Sequence, residues 1–325
     1  MMDLLNNLWF GISVAATPQN LLLCLIGAMV GTLIGVLPGI GPVATIAMLL
    51  PITYGLPPVG ALIMLAGIYY GAMYGGSTTA ILVNIPGESA SVVTTLDGFQ
   101  MALQGRAGPA LAIAAIGSFF AGCVATVIIA AAAAPLTSIA LLFGPAEYFS
   151  LMVLGLIFAV VLAKGSVLKA ICMILFGLVL SMVGSDLETG AGRMNFNVPE
   201  LADGIGFVVI AMGVFGFAEV LRNLEVTHNR EVVNAKITGL MPTRADLIAS
   251  APAVGRGTIL GSILGILPGG GSVIAAFAAY TLEKKLSKYP QRFGRGAIEG
   301  VAGPETANNA ASQTSFIPLL TLGIP

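Results

Sequence analysis

Between Asp3 and Glu88 the chain runs for 84 residues without one Asp, Glu, Lys, Arg or His. A membrane helix needs about 20 apolar residues to cross the hydrocarbon, so this stretch alone has length for several passages. Further charge-poor stretches occupy 107–146, 148–163, 170–185, 204–218, 257–282 and 306–325. Charged residues make up only 9% of the chain, against roughly 25% in soluble domains. Lipid is therefore the solvent for most of the sequence. With Pro- and Gly-interrupted apolar segments and no strand periodicity, the fold class is an all-α polytopic membrane protein, because helices satisfy their own backbone in hydrocarbon.

Several function classes drop out. The start, Met1-Met2-Asp3-Leu4-Leu5, lacks the basic leader of a secretory signal, so the membrane segments themselves direct targeting. Cys24, Cys123 and Cys172 lie in apolar stretches without C-x-x-C or His spacing and read as small buried apolar fillers. A net charge of −1 and the absence of a basic tract give no attraction to nucleic acid. Gly39 to Ala44 formally fits G-x-G-x-x-A, but no acidic residue follows about 20 positions later. One histidine, His228 in a charged loop, and scattered acids cannot build a catalytic or metal constellation. Neither an enzyme nor a resident metal or cofactor is expected.

Full crossings are predicted near 57–86, 109–134, 148–163, 170–185 and 205–220, with broken segments near 20–51 and 253–282. Cytoplasmic loops carry the excess of Lys and Arg. Arg222, Arg230, Lys236, Arg244 and Arg256, and then Lys284, Lys285, Lys288, Arg292 and Arg295, place the loops 222–256 and 283–305 inside. The acidic connection 186–203 lies outside. A segment with both ends inside crosses an even number of times, so 253–282 is expected to be a re-entrant hairpin broken at Pro268-Gly269-Gly270-Gly271. The layout is a single membrane domain, 1–325: a first repeat about 20–107, linking helices about 108–220, a cytoplasmic loop 221–256 and an incomplete second repeat about 257–325.

The repeat rests on self-similarity at an offset of 230 residues, where GTLIGVLPGIGPV from Gly31 lies over GSILGILPGGGSV from Gly261, with seven of 13 positions identical. Each copy is followed by a polar patch ending in Ile-Pro, at Pro86 and at Pro325, 48 and 57 residues after Pro38 and Pro268. Five predicted crossings separate the two breaks, so equivalent elements enter from opposite faces: an inverted repeat. Interrupted helices at matching places in two halves point to a transport site near the bilayer midplane.

A broken helix persists in lipid only where protein, water or ligand satisfies its freed backbone. After Pro38, Gly39 and Gly41 can present N–H groups at the start of a half-helix. After Pro268, Gly269, Gly270, Gly271 and Ser272 can do the same. Two opposed N-termini, each worth roughly half a positive charge, suit a carboxylate; alternatively these glycines serve only close helix packing. Ser77, Thr78, Thr79 and Asn84, with Asn308, Asn309, Ser312 and Thr314, offer hydroxyl and amide groups for a carboxylate or a monovalent cation. Each hydroxyl can instead bond back to the preceding turn. Glu88 and Glu305 are candidates for ion coupling or gating, or are solvated interface groups at segment ends. Asp97 and Arg106 read as ordinary loop charges, and Glu219 as half of a helix pair with Arg222.

Four ordered stretches, GTLIGVLPGIGPVATIAMLLP, YGAMYGGSTTAILVNIPGESASVVTTLDG, GTILGSILGILPGGGSVIAAFAAY and GPETANNAASQTSFIPLLTLGIP, resemble the large membrane (permease) subunit of the tripartite tricarboxylate transporter family. The similarity runs from about residue 20 to the end. The resemblance implies a bacterial inner-membrane permease that imports citrate or a related carboxylate by secondary transport, coupled to sodium or protons. It also implies two partners, a small membrane subunit and a periplasmic solute-binding protein. Site elements carried over are the Pro38-Gly39 and Pro268-Gly269 breaks and the Ser77–Asn84 and Asn308–Thr314 patches. Family members are longer, and this chain stops inside a motif, so it reads as truncated at the C-terminus. Rival readings are a channel-like pore and a non-transporting membrane assembly or sensor subunit.

Overall fold

The computed structural model describes residues 2–37, 41–140, 166–185, 191–196, 198–202, 239–266 and 271–322, with isolated positions between 144 and 224. Four helices open the chain: α1 (Met2–Ala15), α2 (Pro18–Gly35), α3 (Pro42–Leu49) and α4 (Pro58–Val83). The last three each start on proline, which has no N–H to orphan and a φ already close to helical. Helix α4 stops at Asn84, which adopts the left-handed conformation at φ 58°. Short helices α5 (Val92–Thr94) and α6 (Gln100–Leu103) flank a π-helical turn, Thr95–Phe99, and lead into α7 (Ala107–Ala140) and α8 (Val167–Ser181). The two-residue strands Gly184–Ser185 and Gly192–Arg193 pair antiparallel beyond α8. The second half holds α9 (Arg244–Leu264), α10 (Gly271–Leu286), α11 (Glu299–Thr314) and α12 (Phe316–Leu322).

Helices α2, α4, α9 and the Ala107–Ala132 part of α7 are each long and apolar enough to cross a membrane. Polarity is arranged inside-out. The most polar long helix, α11, buries 14 of its 16 residues, whereas α2 buries only Gly27, Gly31 and Gly35. Outward-facing positions such as Leu33, Phe119, Ile259 and Ile263 are large and apolar. Water would reverse that order, and hydrocarbon requires it. The three described cysteines follow the same rule: all are exposed on helices, which corrects the expectation of buried fillers.

Both repeats are clasped by glycine. A Cβ added to Gly27, Gly31 or Gly35 of α2 would lie 2.3, 2.2 and 2.2 Å from the carbonyl oxygens of Met64, Ile68 and Ala72 on α4. In the second repeat, a Cβ added to Gly257 or Gly261 of α9, or to Gly265 just past its end, would lie 2.6, 2.2 and 2.3 Å from the carbonyl oxygens of Gly303, Ala307 and Ala311 on α11. The glycines correspond at the sequence offset of 230 and their partners at 239. The second offset is also the one relating Ile85-Pro86 to Ile324-Pro325, so the nine-residue slip seen in sequence is an insertion between the two partners of one clasp. Small residues at four-residue spacing let backbones touch where lipid gives helices no hydrophobic reason to associate.

Each clasped helix is followed by a break. Helix α2 ends at Gly35 and α3 begins at Pro42; α9 ends at Leu264 and α10 begins at Gly271. Pro38, Gly39, Pro268, Gly269 and Gly270 themselves lie outside the described residues. The second break reverses the chain, since Arg256 on α9 reaches Glu283 on α10 through Nε at 2.7 Å and Nη2 at 2.5 Å. The chain therefore turns back on itself at this break, over a stretch longer than 253–282. Helical structure begins at Arg244, inside the segment expected to be a loop, because Thr243 and Asp246 form a capping box that satisfies two orphan N–H groups. Asp246 also pairs with Arg106, so Arg106 is not a free loop charge. The expected loop 283–305 likewise gives way to helix from Glu299. Most of the predicted crossings 148–163 and 205–220, with Glu219 and His228, fall outside the described residues.

Glu283 is 3% exposed on its side chain and Arg256 39%. Arg256→Ala leaves a buried carboxylate unpaired, which costs about 3–5 kcal/mol in a fully buried pair; the half-exposed arginine brings the expected loss to roughly 2 kcal/mol. The double variant Arg256→Met, Glu283→Leu removes both charges and recovers most of that loss. Thermal midpoints of the three proteins in one detergent check the order wild type, double variant, single variant.

Candidate functional site

Where the two repeats meet, α4 crosses α11. The Ser312 hydroxyl lies 3.4 Å from Met73 Sδ, and the Ser77 hydroxyl lies 2.9 and 2.8 Å from the two carboxyl oxygens of Glu305. Moving from Met73 to Ser77 along one helix moves from Ser312 back to Glu305 along the other, so the two run in opposite senses, as an inverted repeat requires. The crossing is a polar seam inside an apolar shell.

Glu305 is 2% exposed, which corrects its reading as a solvated interface group. Ser77 donates to it from α4 and Thr94 donates to Oε1 from α5. Asn308, one residue short of a turn further along α11, donates from Nδ2 to Glu88 Oε1 at 3.2 Å. Asn309 donates from Nδ2 to Ser118 on α7 at 2.7 Å and to the Glu305 carbonyl at 2.9 Å. Beside this cluster opens a cleft of about 490 Å³, lined among others by Tyr70, Tyr74, Ser118, Cys123, Glu305 and Asn309. The Tyr70 hydroxyl and Asn308 Oδ1 are buried with no hydrogen-bond partner among the described residues. Buried polar atoms without partners are uncommon.

Asp97 holds the seam in register. It is fully buried, not the loop charge its sequence context implies. Its Oδ1 accepts from the backbone N–H groups of Gly294, Gly296 and Ala297 at 2.9, 2.8 and 2.8 Å, and its Oδ2 from the Tyr280 hydroxyl at 2.9 Å. One carboxylate from the first repeat thus fixes the turn that launches α11 and, through Tyr280, its neighbour α10.

The sequence-predicted residues divide. Ser77, Asn308, Asn309 and Ser312 converge on the seam. Thr78, Thr79 and Thr314 hydrogen-bond to their own preceding turns, at Tyr74, Gly76 and Ala310. Asn84 is exposed and ends α4. Gly41 caps α3, where an added Cβ would lie 3.7 Å from the Cβ of Glu88. Gly271 opens α10 packed on Gly265 and the Leu264 carbonyl, and Ser272 follows it half-buried. The segment after Glu88 packs Ala90 and Val93 against Ala276 and Val273 of α10, so the beginnings of α3 and α10 both border it. Thr94, Ser118 and Tyr70 were missed. Each is a single hydroxyl on a largely apolar stretch, a signal too common in membrane helices to single them out.

Fold and seam together define a polytopic helical membrane protein made of two inverted, glycine-clasped repeats around a buried polar centre. Residues 21–325 match the sequence pattern of the tripartite tricarboxylate transporter TctA family, and the chain belongs to that family. It is 63% identical, over all 325 residues, to a protein of Agrobacterium vitis described as an uncharacterized 52.8 kDa protein in the TAR-I ttuC' 3' region. The chain spans 65% of that relative's length. A second Agrobacterium vitis protein, described as uncharacterized and in the TAR-II ttuC' 3' region, is 77% identical over 65 residues, 20% of this chain and 27% of its own. No solved structure matches.

Proposed function

We propose that this chain forms the core of the permease subunit of a secondary transporter that imports tricarboxylates such as citrate, or related carboxylates, across the bacterial inner membrane. A small membrane subunit and a periplasmic solute-binding protein are its partners, and a sodium or proton gradient drives it. The observation that carries the reading is the antiparallel meeting of two broken-helix repeats at a polar seam with an adjoining cleft, in a chain of a tricarboxylate transporter family.

A multiply charged anion cannot enter low dielectric uncompensated. Backbone N–H groups at the starts of α3 and α10, with the Ser118 hydroxyl that the Nδ2 of Asn309 orients, supply hydrogen bonds without a fixed countercharge. Such a site releases its anion readily once the accompanying cation leaves. Alternating access then consists of one clasped pair, α2–α4 or α9–α11, shifting against the other. Each clasp is backbone against backbone and moves as a unit.

Counterflow of labelled citrate in liposomes containing the complete transporter tests this. Uptake is expected to depend on an imposed sodium or proton gradient. Asn309→Ala is expected to lower the initial rate roughly tenfold, the equivalent of about 1.4 kcal/mol for a lost buried hydrogen bond, with membrane insertion unchanged. Flux that ignores both gradients would instead identify a pore.

A further inference from the structure

The buried Glu305 carboxylate is short of donors. Among the described residues its two oxygens receive only the single hydroxyl protons of Ser77 and Thr94, whereas Glu88, which is half-buried, receives the Nδ2 of Asn308 and the backbone N–H groups of Ala90 and Ser91. Asn308, 1% exposed, adds an Oδ1 that finds no donor among the described residues. The Ser77 proton is contested further by the Met73 carbonyl, 3.1 Å away. Among the described residues no Lys or Arg pairs with Glu305 or Glu88: the ion pairs are Arg106–Asp246, Arg256–Glu283 and Arg292–Glu299. The titratable groups facing the site are Glu88 across the seam, Tyr69, Tyr70 and Tyr74 from α4 and Cys123 from α7. On α9 and α10, Arg256 and Glu283 are bonded to each other, and Tyr280 to Asp97. Even after relaxation and water penetration, an uncompensated buried carboxylate costs several kcal/mol.

We infer that Glu305, with Ser77, Thr94 and the free oxygen of Asn308, is the binding site of a monovalent cation, a proton or a sodium ion, that bridges the two repeats. Intramembrane carboxylates mark ion pathways and proton relays, and carboxylate, hydroxyl and amide oxygens all have lone pairs to offer such a cation. Asn308 Oδ1 is the acceptor left open for it. Ser77 and Thr94 belong to the first repeat, Glu305 and Asn308 to the second, so an occupied site ties the repeats together and an empty one leaves a buried carboxylate that pushes them apart. Cation occupancy is thereby coupled to the relative position of the repeats. The inference rests on the carboxylate-transport reading for its purpose, but the binding itself is measured without substrate.

The test titrates the purified full-length subunit with sodium chloride against choline chloride at constant ionic strength, at acid and at mildly alkaline pH, reading the thermal midpoint. Wild type is compared with Glu305→Gln, and with Ser77→Ala and Asn308→Ala in case the glutamine variant does not fold. A sodium site predicts that wild type is stabilised by sodium at alkaline pH, with an apparent affinity weakened at least roughly tenfold in the variants. A proton site predicts indifference to sodium, with a wild-type midpoint that falls from acid to alkaline pH and a midpoint that stays level in Glu305→Gln. If wild type and all variants respond alike to both sodium and pH, the inference is overturned. Absence of carboxylate uptake by a wild-type transporter that still shows the sodium or pH response would count against the transport reading alone.

Discussion

Gly31→Leu and Gly261→Leu, each alone, are expected to remove the folded protein from the membrane. Adding methylenes to a packed core typically costs about 1–3 kcal/mol, because side chains can change rotamer. Here the first added atom would already stand 2.2 Å from the carbonyl oxygen of Ile68 or Ala307, and a backbone carbonyl within a helix has no rotamer to change. The helices must separate, which also opens the neighbouring contacts at four-residue spacing. A loss well above the usual range consumes most of the roughly 5–15 kcal/mol that holds a domain folded. Gly177→Leu on α8 is the control: an added Cβ there meets nothing within 4 Å, and a non-glycine residue in a helix interior gains about 0.5–1 kcal/mol over glycine. Yield of monodisperse protein after detergent extraction reads the contrast. Equal yields for Gly31→Leu and Gly177→Leu would show that the clasp is not what holds α2 to α4.

Asp97→Ala carries the second large effect. It orphans three backbone N–H groups and the Tyr280 hydroxyl together, and each unsatisfied buried donor costs about 1–3 kcal/mol. Water can reach the exposed Gly294 end, so the expected loss is about 4 kcal/mol rather than the full sum. Asp97→Asn keeps an acceptor at one oxygen and is expected to lose roughly half as much. The turn it organises depends on Gly294 and Gly296 at φ 80° and 98°, conformations that other residues adopt only with strain. Hydrogen exchange at 294–297 is therefore expected to accelerate before the rest of α11 loosens. Uniform acceleration along α11 would mean that the turn is not held by Asp97.

What could be read from the sequence was whatever backbone chemistry writes there. Proline and glycine interrupt helices wherever they occur in a charge-free run, so the breaks after Gly35 and Leu264 and the inverted relation of the halves were legible. The clasp was visible only as an alternative use for the glycines near the breaks, although Gly27, Gly31, Gly35 and Gly257, Gly261, Gly265 carry a four-residue period in both copies. The burial of the charged residues was the part the sequence hid. Asp97, Glu283 and Glu305 lie at the edges of apolar stretches, where a charge ordinarily meets water, and only tertiary contact reveals that each is enclosed. Helix α11 was read as loop and patch because hydropathy measures affinity for lipid, and this helix is solvated by protein. Helix α9 was begun too late for a related reason: Arg244, Asp246 and Arg256 lower its hydropathy, yet Asp246 caps the helix and Asp246 and Arg256 are both ion-paired.

The repeats face each other in opposite senses where α4 passes α11, through the polar side chains of the seam. Paired-cysteine cross-linking in a background with Cys24, Cys123 and Cys172 replaced by serine tests it, using a short bifunctional thiol reagent in native membranes. The pairs Met73→Cys with Ser312→Cys and Ser77→Cys with Glu305→Cys are expected to cross-link efficiently, and the exchanged pairs, 73 with 305 and 77 with 312, poorly. Preferential cross-linking of the exchanged pairs would put the two helices parallel and contradict the account.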